Sequence, residues 1–168
     1  MPDDLTRAQR DDRPEESLRT RLSRTFDEDA ERYDRARPGY PSELYDDLDE
    51  LAGAGAGSRV LEVGCGTGQA TVPLAGRGCR VTAVEAGPRM AAIARRDLAG
   101  AAGVEVVTAE FERWPLPEVS YDVVVSATAT ALHWIDPAVR VAKAADALRA
   151  TPKHRVHDKA KPVVTTAI

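Results

Sequence analysis

Hydrophobic positions along this chain follow a helical spacing near the N-terminus and a strand-and-helix alternation after residue 57. Over about residues 20–37, Leu22, Phe26, Ala30 and Tyr33 recur at i, i+4, i+8 and i+11, the spacing of one helix face. Pro38-Gly39 stops that helix. Pro41-Ser42 opens a second, with Ser42 as its expected N-cap and Leu44, Leu48 and Leu51 on its buried face. The glycine-alanine run at 53–57 predicts a turn. Strands are then predicted at 59–63, 80–84, 104–108 and 121–125, and helices at about 69–75, 88–98 and 137–148. The unbroken apolar run of the fourth strand predicts burial on both faces and hence parallel pairing. Such alternation with short connections predicts an α/β fold, a Rossmann-like parallel sheet with helices on both faces.

The ends read differently. Residues 1–20 are rich in Asp, Arg and Glu, with Leu5 and Leu18 their only large apolar groups, and predict a flexible tail. Residues 21–57 form an N-terminal helical segment and 58–149 the alternating domain. Residues 150–168 make an atypical basic tail, with Lys153, Arg155, Lys159 and Lys161 against Asp158; only 162–168 has a strand's pattern. There is no internal repeat.

Composition narrows the classes. A chain of 168 residues suits one domain, able to bury roughly 70% of its unfolded surface. A net charge of -4 and a pI of about 5.4 argue against a general nucleic-acid binder, which needs a basic face. The apolar stretches are broken well before the ~18 residues of a membrane span, and the N-terminus lacks the apolar core of a secretory signal. Cys65 and Cys79 are the only cysteines, without CxxC or HxxxH spacing, so neither a disulfide framework nor a metal site is expected. A reduced, cytoplasmic location is the expectation. Many Ala and Arg residues with little Lys suggest a GC-rich bacterial genome.

The chemistry gathers in Val-Leu-Glu-Val-Gly-Cys-Gly-Thr-Gly-Gln at 60–69. The strand ends at Val63 and the chain turns sharply into a helix. Gly64, Gly66 and Gly68, with Cys65 and Thr67 between them, permit positive φ and leave no Cβ against a ligand. The helix start should present free backbone N–H groups to it. Nicotinamide and flavin proteins use glycine loops too, but here the spacing is GxGxG, with Gln69 where a dinucleotide fingerprint has its third glycine. Glu62, two residues before Gly64, suits a cationic amino-acid ligand better than a pyrophosphate, which it would repel. Glu85, followed by Ala86, ends the second strand about 20 residues on, where an acid can accept from both ribose hydroxyls. Glu110 follows the third strand and can accept from an adenine amine, with a backbone N–H near Phe111 donating to the ring. An acidic loop with Phe111 and Trp114 in a minor core is the other reading. Ser126, Thr128, His133 and Trp134 follow the fourth strand, at the carboxyl end of the sheet where ligands bind. His133 is the candidate catalytic residue, to orient or deprotonate an acceptor, or else a packed histidine. Tyr33, Arg37 and Tyr40 flank the Pro-Gly break. They make either a lid that excludes water and holds an acidic acceptor through Arg37, or a face of a helix packed on the sheet.

These residues together resemble the class I S-adenosylmethionine-dependent methyltransferases. The family's ExGxGxG motif is met by Glu62, Gly64, Gly66 and Gly68. Glu85, the loop Glu110-Phe111-Glu112 and the Tyr-Asp-Val-Val-Val strand at 121–125 follow in order and spacing. The element from Phe26 to Pro41, with Ala-Leu-His-Trp-Ile-Asp-Pro at 131–137, resembles a bacterial small-molecule subgroup akin to trans-aconitate methyltransferases. The resemblance covers about residues 22–149. It implies strand order 3-2-1-4-5-7-6 and S-adenosylmethionine as cofactor. It places Glu62 near the donor's amino-acid part, Glu85 on the ribose and Glu110 at the adenine, and it implies a small-molecule acceptor. After Leu148-Arg149 the family's Pro-Gly-Gly turn is missing, and at most one more strand fits. The expectation is an incomplete sheet of strands 1–4 with room for a fifth, from a truncated or frame-shifted product, marginally stable and poorly active. Its exposed strand-four or strand-five edge would favour self-association. Two rivals stand beside the enzyme: a binding-only remnant, and a nicotinamide-dependent oxidoreductase, which Glu62 and Gln69 disfavour.

Overall fold

A computed structural model of the chain describes residues 27–127, 135–149 and 164–166. In chain order the elements are α1 (Ala30–Ala36), α2 (Ser42–Ala52), β1 (Arg59–Val63), α3 (Thr71–Gly76), β2 (Arg80–Glu85), α4 (Pro88–Asp97), β3 (Val104–Thr108), β4 (Val123–Ser126), α5 (Pro137–Arg149) and β5 (Val164–Thr166). The described strands form one sheet, ordered β3-β2-β1-β4-β5. Every pairing is parallel, with Val60 opposite Val81 and Val123, and Glu62 opposite Ala83 and Val125. This is the implied order as far as its fifth strand. β5 pairs Val124 with Val164 and Ser126 with Thr166, so the outermost described strand on that side is β5 and not β4.

Because side chains alternate along a strand, β1, β2 and β4 feed two cores. Val60, Val81, Ala83, Val123 and Val125 pack with Tyr45 and Ala52 of α2, Leu74 of α3 and Ala94 of α4. On the other face Leu61, Val63, Val84 and Val124 pack with Ala144 and Ala147 of α5 and with Phe111 and Tyr121. Helices therefore cover both faces, which is why the strands read as unbroken apolar runs.

Several details depart from the pattern. Pro41, in extended backbone, takes the N-cap of α2, and Ser42 is already helical, its hydroxyl turned to Glu43 Oε2 at 3.2 Å. The buried stripe of α2 is Tyr45, Leu48 and Ala52, one position round from the expected one, and Leu51 is 74% exposed. Both stripes fit a helix; the tyrosine ring, the larger apolar surface, takes the inner place. Its hydroxyl donates to the Gln69 carbonyl at 3.4 Å, and the Arg77 guanidinium lies 4.8 Å from its ring centre. α3 starts at Thr71 rather than near Gln69, because the glycine loop continues to Ala70. β4 starts two residues later than expected, and Tyr121 sits in the core before it.

Candidate functional site

The order of the sheet reverses direction between β1 and β4, and ligands in such sheets bind outside the carboxyl ends of the strands at that point. Val63, Glu85 and Ser126 end β1, β2 and β4 at this edge. The glycine loop leaves β1 here with Gly64, Gly66 and Gly68 at φ of 72°, 60° and 96°. At Gly66 the requirement for glycine is plain, because its φ lies in the left-handed region that a side chain disfavours.

Several N–H groups of the loop are taken up within the fold. Gly64 N donates to the Val84 carbonyl at 2.8 Å, Gly68 N to the Cys65 carbonyl at 3.0 Å and Val72 N to the Gly68 carbonyl at 2.9 Å. Gly66 N donates to Glu85 Oε2 at 2.9 Å, and Glu85 Oε1 accepts from Gly87 N at 2.8 Å. The expected free donors at the helix start are thus already engaged at these positions. The reason is tertiary, since β2 ends beside the loop and its last residue is an acid. The two Glu85 oxygens together offer more acceptor sites than the backbone N–H groups around them fill. Burial raises the Glu85 carboxyl above its ordinary range, against the N–H bonds from Gly87 and Gly66 that favour the charge.

Glu62 is the most buried charged side chain among the described residues. It is 1% exposed, on the sheet face covered by α3, and its Oε2 accepts from Thr71 Oγ1 at 2.7 Å. Burial pushes its pKa up to about 7; the Thr71 bond opposes this, and the charge of Glu85 adds to it. The loop that follows β1 carries buried polar atoms without a hydrogen-bond partner, Thr67 Oγ1 and both ends of the Gln69 amide. Such orphans are costly unless something else satisfies them. A buried carboxyl, an unsatisfied hydroxyl and amide, and a loop with three glycines at positive φ fit the amino-acid end and sugar of S-adenosylmethionine. Cys65 is buried, with its thiol pushed well above its ordinary range by that burial, so it packs and does not react.

The predicted lid residues do converge. Arg37 donates through Nη1 to the Tyr33 hydroxyl and through Nη2 to the Tyr40 hydroxyl at 2.9 Å. Tyr40 in turn donates to the Ala127 carbonyl beyond β4. Tyr33 Cε1 lies 3.9 Å from where a Cβ on Gly66 would stand, and Met90 Sδ lies 4.0 Å from it. The N-terminal segment therefore reaches over the glycine loop. Ser126 is buried and donates to the Val63 carbonyl at 3.0 Å, tying β4 to the start of the loop.

Other predicted residues fall elsewhere. Glu110 turns outward, its carboxylate 3.2 Å from Arg113 Nε. Phe111 is buried, with Lys143 Nζ 5.3 Å from its ring centre, and Trp114 packs on the same core, the bland reading of that loop. Ala86 is exposed in the bend after β2. Thr128, His133 and Trp134 lie outside the described residues, as do Leu22, Phe26, residues 1–20 and most of 150–168. Among the described residues, no group of three His, Cys, Asp or Glu could hold a metal, and no helix is long and apolar enough to cross a membrane.

A profile of the methyltransferase domain family matches residues 60–151, more than half of the chain. The chain belongs to the class I S-adenosylmethionine-dependent methyltransferases. An uncharacterised methyltransferase of Mycobacterium tuberculosis is 37% identical over 128 residues, 76% of this chain and 49% of that protein. The chain spans about half the length of the curated relatives it matches. The complex of DhpI with S-adenosylhomocysteine superposes with a TM-score of 0.58 at 26% identity, over 79% of this chain and 63% of that one. A TehB-like methyltransferase from Corynebacterium glutamicum, 21% identical, shares the fold, with a TM-score of 0.56 over 77% of this chain and 67% of its own. These matches favour methyl transfer over the nicotinamide reading.

Two residues beside the glycine loop and β2 escape a reading by motif. Thr71 holds the Glu62 carboxylate from nine positions away, and Asp27 reaches the start of α4 from 62 positions away. The signal for the second was an absence, because Gly87-Pro88 opens a helix without a capping side chain.

Proposed function

We propose that this domain holds S-adenosylmethionine at the glycine loop and serves methyl transfer to a small-molecule acceptor. The observation that carries the proposal is Glu62, a fully buried carboxylate hydrogen-bonded to a neutral hydroxyl beside orphaned polar atoms. A buried carboxyl of this kind, once ionised, calls for a cation, and the donor's ammonium group is one. Glu62, Thr67 and Gln69 would hold the amino-acid part, and Glu85 the ribose. When bound, the donor supplies a methyl group already activated on a sulfonium, so no protein nucleophile or metal is required. The chain's own task is to orient the two reactants and exclude water. Tyr33, Arg37 and Tyr40 are placed to close over that end of the sheet. Arg37 gives two of its five N–H groups to the tyrosines, and an acidic acceptor would be drawn to the rest. His133 remains the candidate to orient or deprotonate the acceptor.

The test is calorimetry of S-adenosylhomocysteine and NADH with the purified chain, followed by methyl transfer from labelled donor to a panel of small carboxylated and neutral acceptors. Binding of the first ligand alone is expected; binding of NADH alone would overturn the reading. Glu85→Ala should weaken S-adenosylhomocysteine by about 1–3 kcal/mol, the cost of leaving buried polar partners unpaired. An analogue without ribose hydroxyls separates two causes. If the variant loses equally for both ligands, Glu85 acts through Gly66 and the loop and not on the sugar.

A further inference from the structure

Helix α4 begins with an omission. Its N-cap is Gly87, in extended backbone, which has no side chain to satisfy the first free N–H groups. Pro88 follows, and has no N–H to satisfy. The next two N–H groups, of Arg89 and Met90, are the ones a serine or aspartate at the cap would normally take. Here both donate to Asp27 Oδ1, at 2.8 and 3.0 Å. The cap comes from the other end of the fold. Glycine at 87 is part of the arrangement, since a Cβ there would stand 2.6 Å from Asp27 Oδ1 and 3.2 Å from Glu85 Oε1.

Three features meet at this point. Asp27 begins the segment that carries Ala30 and Tyr33, which pack on Met90 and Ile93 of α4. Glu85 sits on the same bend, its Oε1 accepting from Gly87 N at 2.8 Å. Tyr33 and Met90 face Gly66 across the loop. Beside that apolar packing, Arg89 Nη1 donates to the Glu28 carbonyl at 3.2 Å, and Arg96 pairs with Glu31 at 3.1 Å and with Asp34 at 3.6 Å, surface ion pairs that contribute little.

We propose that Asp27 is a positioning residue, a latch that fastens the N-terminal helix to the start of α4 and so fixes it over Glu85 and the glycine loop. The inference rests on the assignment of Glu85 to the donor's ribose. It makes the cover and the nucleotide site one unit. Releasing Asp27 frees the N-terminal helix and loosens the bend that aims Glu85, though Asp27 itself touches no ligand.

The test compares Asp27→Ala, Asp27→Asn and the double variant Asp27→Ala with Gly87→Ser. Three readouts are taken on the whole chain: melting temperature, amide exchange of residues 30–36 without ligand, and S-adenosylhomocysteine affinity. Asp27→Ala should speed exchange in α1 at least tenfold and weaken the ligand about five- to tenfold. Asp27→Asn keeps the accepting oxygen and should restore both to within about twofold. The double variant gives α4 a local cap, for which Asp27 no longer leaves too little room. It should recover the melting temperature that Asp27→Ala loses with the cap, but not the protection of α1. If it recovers α1 protection as well, Asp27 is only a helix cap and the latch is wrong. Unchanged α1 exchange in Asp27→Ala overturns it equally. Should the unaltered chain fail to bind S-adenosylhomocysteine, the Glu85 assignment fails, while α1 exchange still decides the latch.

Discussion

Glu62→Gln should make the free chain more stable at pH 8 and, in the same tube, weaken its hold on S-adenosylhomocysteine at least tenfold. The two effects share one cause. Burial lifts the Glu62 carboxyl to about 7, above its ordinary 4.5. An acid whose pKa is raised by folding binds more protons folded than unfolded. Its contribution to stability therefore falls as pH rises from about 4.5 through about 7, and the full penalty stands above that. A shift of this size corresponds to about 3 kcal/mol, as an upper figure. Glutamine removes the ionisation and can still accept from Thr71. Below about pH 4 the variant and the parent should melt together, because Glu62 is protonated there in the folded and the unfolded parent alike. At pH 8 the variant should melt several degrees higher. An equal difference at both pH values would show that ionisation of Glu62 is not the source. The ligand works in the opposite sense. On the proposed assignment its ammonium group would offset the buried charge, and a hydrogen bond to a charged group is worth about 1.5–3 kcal/mol. Affinity should therefore fall in the variant, and in the parent it should rise with pH through 7. The site is held in readiness at the expense of the free fold, a common arrangement for binding groups.

What could be read in advance was whatever depends on neighbours in sequence. β1 and β3 have the bounds that alternation and flanking turns predicted, 59–63 and 104–108. The glycine loop and the acids at 62 and 85 were legible because a strand, a tight turn and a helix must follow one another there. The stripe of α2 was misplaced by one position, because periodicity alone cannot choose between Leu51 and Ala52; the depth of the neighbouring sheet chooses. The partners of Glu85 were invisible for a related reason. Nothing local says that the carboxylate at the end of β2 will bond Gly66, 19 residues earlier. Glu110 stands after β3 as its position in sequence implied, and its exposed ion pair with the arginine three residues on is a contact that motif spacing does not foretell. Asp27 was hidden deepest, since a cap delivered across 62 residues leaves only a missing side chain at 87 as its trace.

Gly66→Val should abolish S-adenosylhomocysteine binding, and Gly66→Ala should weaken it only modestly. The pair separates backbone strain from occupied space. At φ of 60° any side chain at 66 sits in the left-handed region, at a cost of about 1–2 kcal/mol. Both variants bear that cost, and both should melt a few degrees lower. The alanine methyl itself is tolerated. It would lie 3.9 Å from Tyr33 Cε1 and 4.0 Å from Met90 Sδ, ordinary contact distances. Valine adds two γ-carbons beyond that point, in the gap between Tyr33 and Met90. Branching at Cβ also stiffens χ1, so they cannot swing clear. The Gly66 N–H must move as well, and with it the 2.9 Å bond that sets the Glu85 carboxylate. Loss of the loop's shape and of the aim of Glu85 should together exceed a hundredfold in affinity by calorimetry, about 2.7 kcal/mol. Alanine should lose less than tenfold. If the two variants fall equally, strain alone explains the loss and the gap beside Tyr33 holds no ligand. If valine binds as the parent does, the glycine loop is not the donor site.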